Sequence, residues 1–268
     1  RRRYSDYSIG QSMSNKLKIS IEGNTALITI DNPPANTWDL ESLSFLEETI
    51  KELNSNKEVY TLIVTGKGEK FFSAGADLKV FHEGGKEAAK KMADAFANAF
   101  NELSNFRGFS IAAINGFAMG GGLECALACD VRIAEEQSKL ALPEPKVGLL
   151  PCGGGTQQLP RLVGEGWAKR IILGGEQIKA DQALMIGLVE EVAAPGKSLE
   201  KAFILARQAN KQSPISISAC KELIHQARTS KESYKNEKEP FVELFDTHDQ
   251  SEGVEAFLEK RDPDWRNA

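Results

Sequence analysis

Two carboxylates sit where a surface acid has little reason to be. Glu124 falls inside "GFAMGGGLECAL" (Gly116–Leu127), directly after the glycine run Gly120–Gly122 and within an otherwise uncharged stretch. Glu144 stands between Pro143 and Pro145 in "LALPEPKVGLLPCGGGTQQL", ahead of a second glycine cluster. Glycine loses more conformational freedom on folding than any other residue, so a run of it marks a place where backbone approaches something closely. A helix starting near Gly121 offers free N–H groups backed by the positive end of its dipole, a setting for an anion or oxyanion. The same residues equally suit a tight strand–helix contact in which Glu124 merely complements the dipole. Glu144 taken alone reads as a surface acid in a rigid turn. Taken together, two positioned acids beside an oxyanion-binding helix end suit proton transfer or addition next to a carbonyl.

Other chemistries lack their signatures. "TGKGEKF" has the wrong spacing for a phosphate-binding loop, and "GGGLEC" and "GGGTQQ" both lack the last glycine of a dinucleotide fingerprint. There is no G-x-S-x-G elbow and no H-E-x-x-H. The four cysteines, Cys125, Cys129, Cys152 and Cys220, lack metal-ligand spacing and lie far in sequence from His82, His225 and His248. They read as small apolar residues in a reducing compartment, and no metal site is expected. The count of 33 basic against 38 acidic residues gives a net charge of −5, which argues against a nucleic-acid partner. The longest uncharged window, Gly108 to Leu123, is shorter than the ~20 residues of a membrane span. A soluble cytoplasmic protein is therefore expected.

The elements that must hold these acids follow from periodicity. "KISIEGNTALITID" predicts two strands around Glu22-Gly23-Asn24, and "DNPPANTW" breaks the pattern. Leu43, Leu46, Ile50 and Leu53 have helical spacing after Asp39, a suitable N-cap. Val59–Gly66 and "FSIAAING" predict buried strands, and Met92, Phe96, Phe100 and Leu103 mark a long amphipathic helix between them. "VRIAEE" and "KLALPE" predict further short strands. Helices are expected over Trp167–Gly174, Ala180–Gly187, Ser198–Gln212 and Ile215–Arg228, with a charged tail to about Arg261. Strands thus concentrate before Glu191, giving an α/β core over residues 13–196 and a helical segment over 197–268 that packs on it or on a neighbouring subunit. Residues 1–12, "RRRYSDYSIGQS", are read as a non-native leader and set aside.

Four stretches resemble the enoyl-CoA hydratase/isomerase (crotonase) superfamily: "FFSAGADLKVF", "IAAINGFAMGGGLECALACDVRIA", "LALPEPKVGLLPCGGGTQQLPRLVG" and "ADQALMIGLVEEV". They come in the family's order and cover about Leu17 to Arg261. The resemblance implies a crotonase-like ββα spiral core with a C-terminal helical segment used in trimer formation, as a homo-trimer or a dimer of trimers. It implies an acyl-CoA thioester as substrate, with CoA part of that substrate and no separate cofactor. Carried over by position, the N–H groups of Ala76 and Gly121 form the oxyanion hole. Ala74, Ala76, Asp77 and Leu78 meet the CoA. Glu124 and Glu144 match the two acids that hold a water: Glu124 deprotonates it as it attacks the β-carbon, and Glu144 protonates the α-carbon. Cys152 stands where hydratases usually carry glycine, near that water, and Pro145 follows Glu144 where relatives often carry a branched or polar residue. The implied activity is hydration of a trans-2-enoyl-CoA to a 3-hydroxyacyl-CoA, as in fatty-acid β-oxidation. A Δ3,Δ2-enoyl-CoA isomerase or another lyase of the superfamily is the alternative. A non-catalytic acyl-CoA-binding protein and an RNA-binding member are the rivals of another class.

Overall fold

The computed structural model describes residues 5–6, 15–77, 79–228 and 241–268. Its strands form a seven-stranded and a four-stranded sheet. The large sheet contains β1 (Ser5–Asp6), β2 (Leu17–Glu22), β3 (Thr25–Ile30), β4 (Thr61–Gly66), β6 (Phe109–Ile114), β8 (Val131–Glu135) and β11 (Glu191–Ala193), side by side in that order. The small sheet runs β10 (Ile178–Lys179), β9 (Lys139–Ala141), β7 (Phe117–Met119), β5 (Phe71–Ser73). Ser5–Asp6, within the segment set aside as a leader, pairs with Ile21 and Ser20 at the sheet edge.

The expected hairpin forms across Gly23, which sits at φ +58, a backbone state open to glycine without strain. From β3 onward the large sheet is parallel, and β4 is buried at every position. Parallel sheets need cover on both faces, and the two-residue period of the strands assigns each face a partner. Leu62, Val64, Ala112 and Ile114 pack with Leu46, Ile50 and Leu53 of α1 (Leu40–Ser55). Ile63, Ile111, Ala113 and Ile133 pack with Ala202, Phe203 and Ala206 of α6 (Ser198–Ala209). A helix from beyond residue 197 therefore covers the second face of the core. Asp39 caps α1 as its spacing predicts, accepting from the Ser42 N–H at 2.9 Å while the Ser42 hydroxyl accepts from the Asp39 N–H at 3.0 Å.

The long helix α2 runs over Lys79–Ser104 and buries Met92, Phe96, Phe100 and Leu103. Helices α3 (Gly121–Ala128), α4 (Gly155–Ile172), α5 (Ala180–Met185), α7 (Pro214–Gln226) and α8 (His248–Glu259) complete the described residues. One expectation is corrected: α4 begins at Gly155, far ahead of Trp167, and is kinked at Gly164, whose φ is +77. The second glycine cluster leads into this helix start, and Pro160 lies inside the first half of that helix. Among the described residues no helix is long and apolar enough to cross a membrane.

Candidate active site

Three neighbouring strands of the small sheet, β5, β7 and β9, run parallel. Their C-terminal ends therefore lie together, and in parallel sheets that edge is where ligands bind. After β5 the chain supplies Ala74, Gly75, Ala76 and Asp77. After β7 it turns at Gly120 into α3. After β9 it passes through Leu142 and Pro143 to Glu144, the first residue of a 3-10 turn over Glu144–Val147. The Gly120 N–H donates to the Ala141 carbonyl at 2.9 Å and ties two of these ends to each other.

Each glycine of the run has its own reason. Gly120 takes φ +53, and a Cβ there would lie 2.9 Å from Glu144 Oε1. A Cβ on Gly121 would meet the Phe96 ring at 2.7 Å, and one on Gly122 would lie 2.2 Å from the Ser73 carbonyl oxygen. The run thus serves both the tight strand–helix contact and the approach to an acid.

Gly121 opens α3, so its N–H has no carbonyl one turn earlier to reach. Opposite it, Ala76 forms an isolated parallel bridge with Trp38. That bridge uses the Gly75 carbonyl, which accepts from Trp38 N–H at 2.8 Å, and the Asp77 N–H, which donates to Trp38 at 3.0 Å. Strand alternation then turns the Ala76 N–H away from Trp38. Gly75 holds φ +91, and a Cβ there would lie 2.7 Å from the Met119 carbonyl oxygen and 3.2 Å from the Gly121 nitrogen, so the glycine is what lets the two segments seat against each other.

Glu124 projects from the first turn of α3 and is 2% exposed. Its Oε1 accepts from the N–H groups of Gly153 and Gly155, each at 2.8 Å. Burial pushes its pKa from 4.5 to about 7; the Gly155 and Gly153 hydrogen bonds oppose that and the charge of Glu144 adds to it. Glu144 is also raised, by burial. Its Oε2 is buried with no hydrogen-bond partner among the described residues, an acid left with capacity for a ligand or water. Cys152 is half-buried, and burial followed by the charges of Glu124 and Glu144 pushes its thiol up to about 11.

These groups line one cavity of about 270 Å³, walled by Ala74, Gly75, Ala76, Gly120, Gly121, Glu124, Glu144 and Cys152, with Phe96, Val147, Leu149 and Leu150 as apolar surface. Asp77 is half-buried and does not line it, and Leu78 lies outside the described residues. A larger cavity of about 740 Å³ lies at the other end of α3, against α7. Its acid, Asp130, is already bound by Ser110 and by Lys221 Nζ at 2.8 Å, so it lacks the paired carboxylates and open N–H groups of the smaller one. Among the described residues no cluster of three His, Cys, Asp or Glu side chains has the grouping of a metal site. The Gly153 and Gly155 donors carry no chemical side chain; the glycine cluster was the one signal for them.

The profile of the enoyl-CoA hydratase/isomerase family matches residues 20–268. The chain belongs to this family. With it comes the crotonase fold expected from the motifs. The short-chain-enoyl-CoA hydratase of Clostridium acetobutylicum is 37% identical over 92% of this chain and 96% of its own length. The carnitinyl-CoA dehydratase of Salmonella arizonae is 35% identical over 95% of this chain and 99% of its own. Among solved structures, DspI of Pseudomonas aeruginosa is 56% identical and superposes with a TM-score of 0.93, covering 96% of this chain and 100% of that one. Relatives named for addition and for removal of water thus align with this chain over nearly their whole length.

Proposed function

We propose that this enzyme adds water across the trans-2 double bond of an enoyl-CoA thioester, giving the 3-hydroxyacyl-CoA. The observation that carries this reading is the convergence of Glu124, Glu144, Ala76 and Gly121 on one cavity. Attack at the β-carbon drives charge onto the thioester oxygen, and two N–H donors fixed in a dry site stabilise it; losing one such donor typically costs about 10²–10³ in rate. Glu124 takes the proton from the attacking water and Glu144 delivers one to the α-carbon. Isomerisation moves a single proton between carbons and needs one acid, so the presence of both favours hydration. Ala74 and Ala76 sit at the CoA side, and CoA arrives as part of the substrate, with no further cofactor in the scheme.

The test is to mix the protein with crotonyl-CoA and follow loss of the conjugated enoyl-thioester absorbance. Loss of signal is the expected result. Conversion of a 3-enoyl-CoA without hydration would establish the isomerase, and CoA binding without turnover the non-catalytic alternative. A trimer built through the C-terminal helices belongs to the same proposal: Phe241, Phe245 and Leu258 are exposed by 61%, 57% and 73%. Light scattering checks it, and a monomer would refute it.

A further inference from the structure

The substrate class proposed above carries an electrophilic β-carbon, and the cavity that would receive it holds a nucleophile other than water. Cys152 lines that cavity together with both acids and both oxyanion donors. Its thiol lies in the field of Glu124 and Glu144 alike. It is the chain neighbour of Gly153, whose N–H donates to Glu124 Oε1 at 2.8 Å, so the loop that carries the thiol is hydrogen-bonded to the base.

Resting on the hydratase reading, we propose that Cys152 adds its thiol reversibly across the enoyl double bond, so that the enzyme forms a covalent thioether with its own substrate in competition with hydration. The step balances without any oxidant or co-reactant. Glu124 accepts the S–H proton as sulfur bonds the β-carbon, and the π pair moves into the thioester enolate held by Ala76 and Gly121. Glu144 then protonates the α-carbon. Reversal expels the thiol once Glu144 removes that α-proton again. The raised thiol pKa fits the requirement that no free thiolate stands ready at rest, so the reaction waits for substrate and base together.

The other cysteines provide internal controls: Cys125 and Cys129 are buried and Cys220 is exposed. The full chain is incubated with crotonyl-CoA, acid-quenched, and examined by intact mass and peptide mapping while hydration is followed in the same sample. The expected result is a gain of one crotonyl-CoA mapped to Cys152, absent in Cys152→Ala, which hydrates faster because the competing nucleophile is gone. Glu124→Gln decides the chemistry by sign. Removing that charge lowers the thiol pKa, so simple thiolate reactivity would make labelling faster. Loss of a positioned base makes it slower, by about a hundredfold or more. Faster or equal labelling in Glu124→Gln overturns the proposal, as does adduct on Cys220 with none on Cys152. Hydration without a Cys152 adduct overturns this inference and leaves the hydratase reading standing; absence of both hydration and adduct overturns the two together.

Discussion

Replacing Glu124 by Gln removes a buried charge yet keeps an oxygen for the N–H groups of Gly153 and Gly155. In the unfolded chain this carboxyl titrates near its ordinary 4.5, and in the folded protein near about 7. Between those values the folded state holds a proton that the unfolded state has released, so stability falls as pH rises through the window. A gap of that size, at ~1.36 kcal/mol per pH unit, amounts to about 3 kcal/mol once pH is above both values. Gln carries no such penalty. Urea unfolding of both proteins at intervals from pH 5 to 8.5 measures the effect. The variant is expected to gain on the wild type by about 2–3 kcal/mol across that range, while hydration is lost. A fixed difference in cap or packing energy would shift one curve without changing its slope. Parallel stability–pH curves would therefore refute the burial argument for Glu124 outright.

Gly122→Ala places a Cβ 2.2 Å from the Ser73 carbonyl, backbone that cannot swing aside, so β5 must separate from α3; a loss of about 1–3 kcal/mol and collapse of turnover are expected in thermal melts and kinetics. Lys221→Met removes the bonds from Nζ to Asp130 at 2.8 Å and to the Gly108 carbonyl at 3.1 Å, the ties that fasten α7 to the core. About 1–3 kcal/mol is at stake for partners left buried, and limited proteolysis within Pro214–Gln226 should accelerate severalfold. The acid pair works while it holds one proton, so kcat/KM should decline on both sides, with an alkaline limb near pH 7 that belongs to the pair jointly. A flat profile through that limb would show that Glu124 does not change charge there.

Much of the large sheet was legible because its residues answer to one neighbour at a time. The apolar runs of β4 and β6, and the helical spacing of Leu43, Leu46, Ile50 and Leu53, report burial directly, and Asp39 announces its helix by a local bond. The start of α4 was not legible, because its glycines serve an acid many residues earlier in the chain and no local propensity encodes that. The division at residue 196 reflects composition, whereas α6 packs by shape on a sheet face formed long before it. Within the site, spacing marked Glu124 and Glu144, but their placement on one cavity depends on β7 and β9 being parallel neighbours, a property of topology. Asp77 illustrates the converse: adjacent in sequence to Ala76, it points its backbone to Trp38 and lies off the cavity.

The electrostatics and the topology constrain each other. An acid near neutrality must be buried, and burial of a carboxylate is tolerated only where donors meet it. Glu124 obtains them from Gly153 and Gly155, backbone N–H groups that carry no counter-charge; a lysine there would hold the acid ionised and well below neutral. Glycine is what lets those donors approach, since a Cβ at Gly155 would sit 2.9 Å from Oε1 and one at Gly153 3.0 Å from Oε2. The proposed oxyanion donors follow the same economy, being backbone N–H groups of Ala76 and Gly121, both of which line the cavity. A thioester oxygen is neutral before reaction and negative during it, and uncharged donors favour the second state without gripping the first too tightly. Glycine runs, paired acids and backbone donors thus answer, in the proposed reading, to a single requirement: stabilising an enolate without a fixed counter-charge on Glu124, with Lys146 the basic side chain that also lines the cavity.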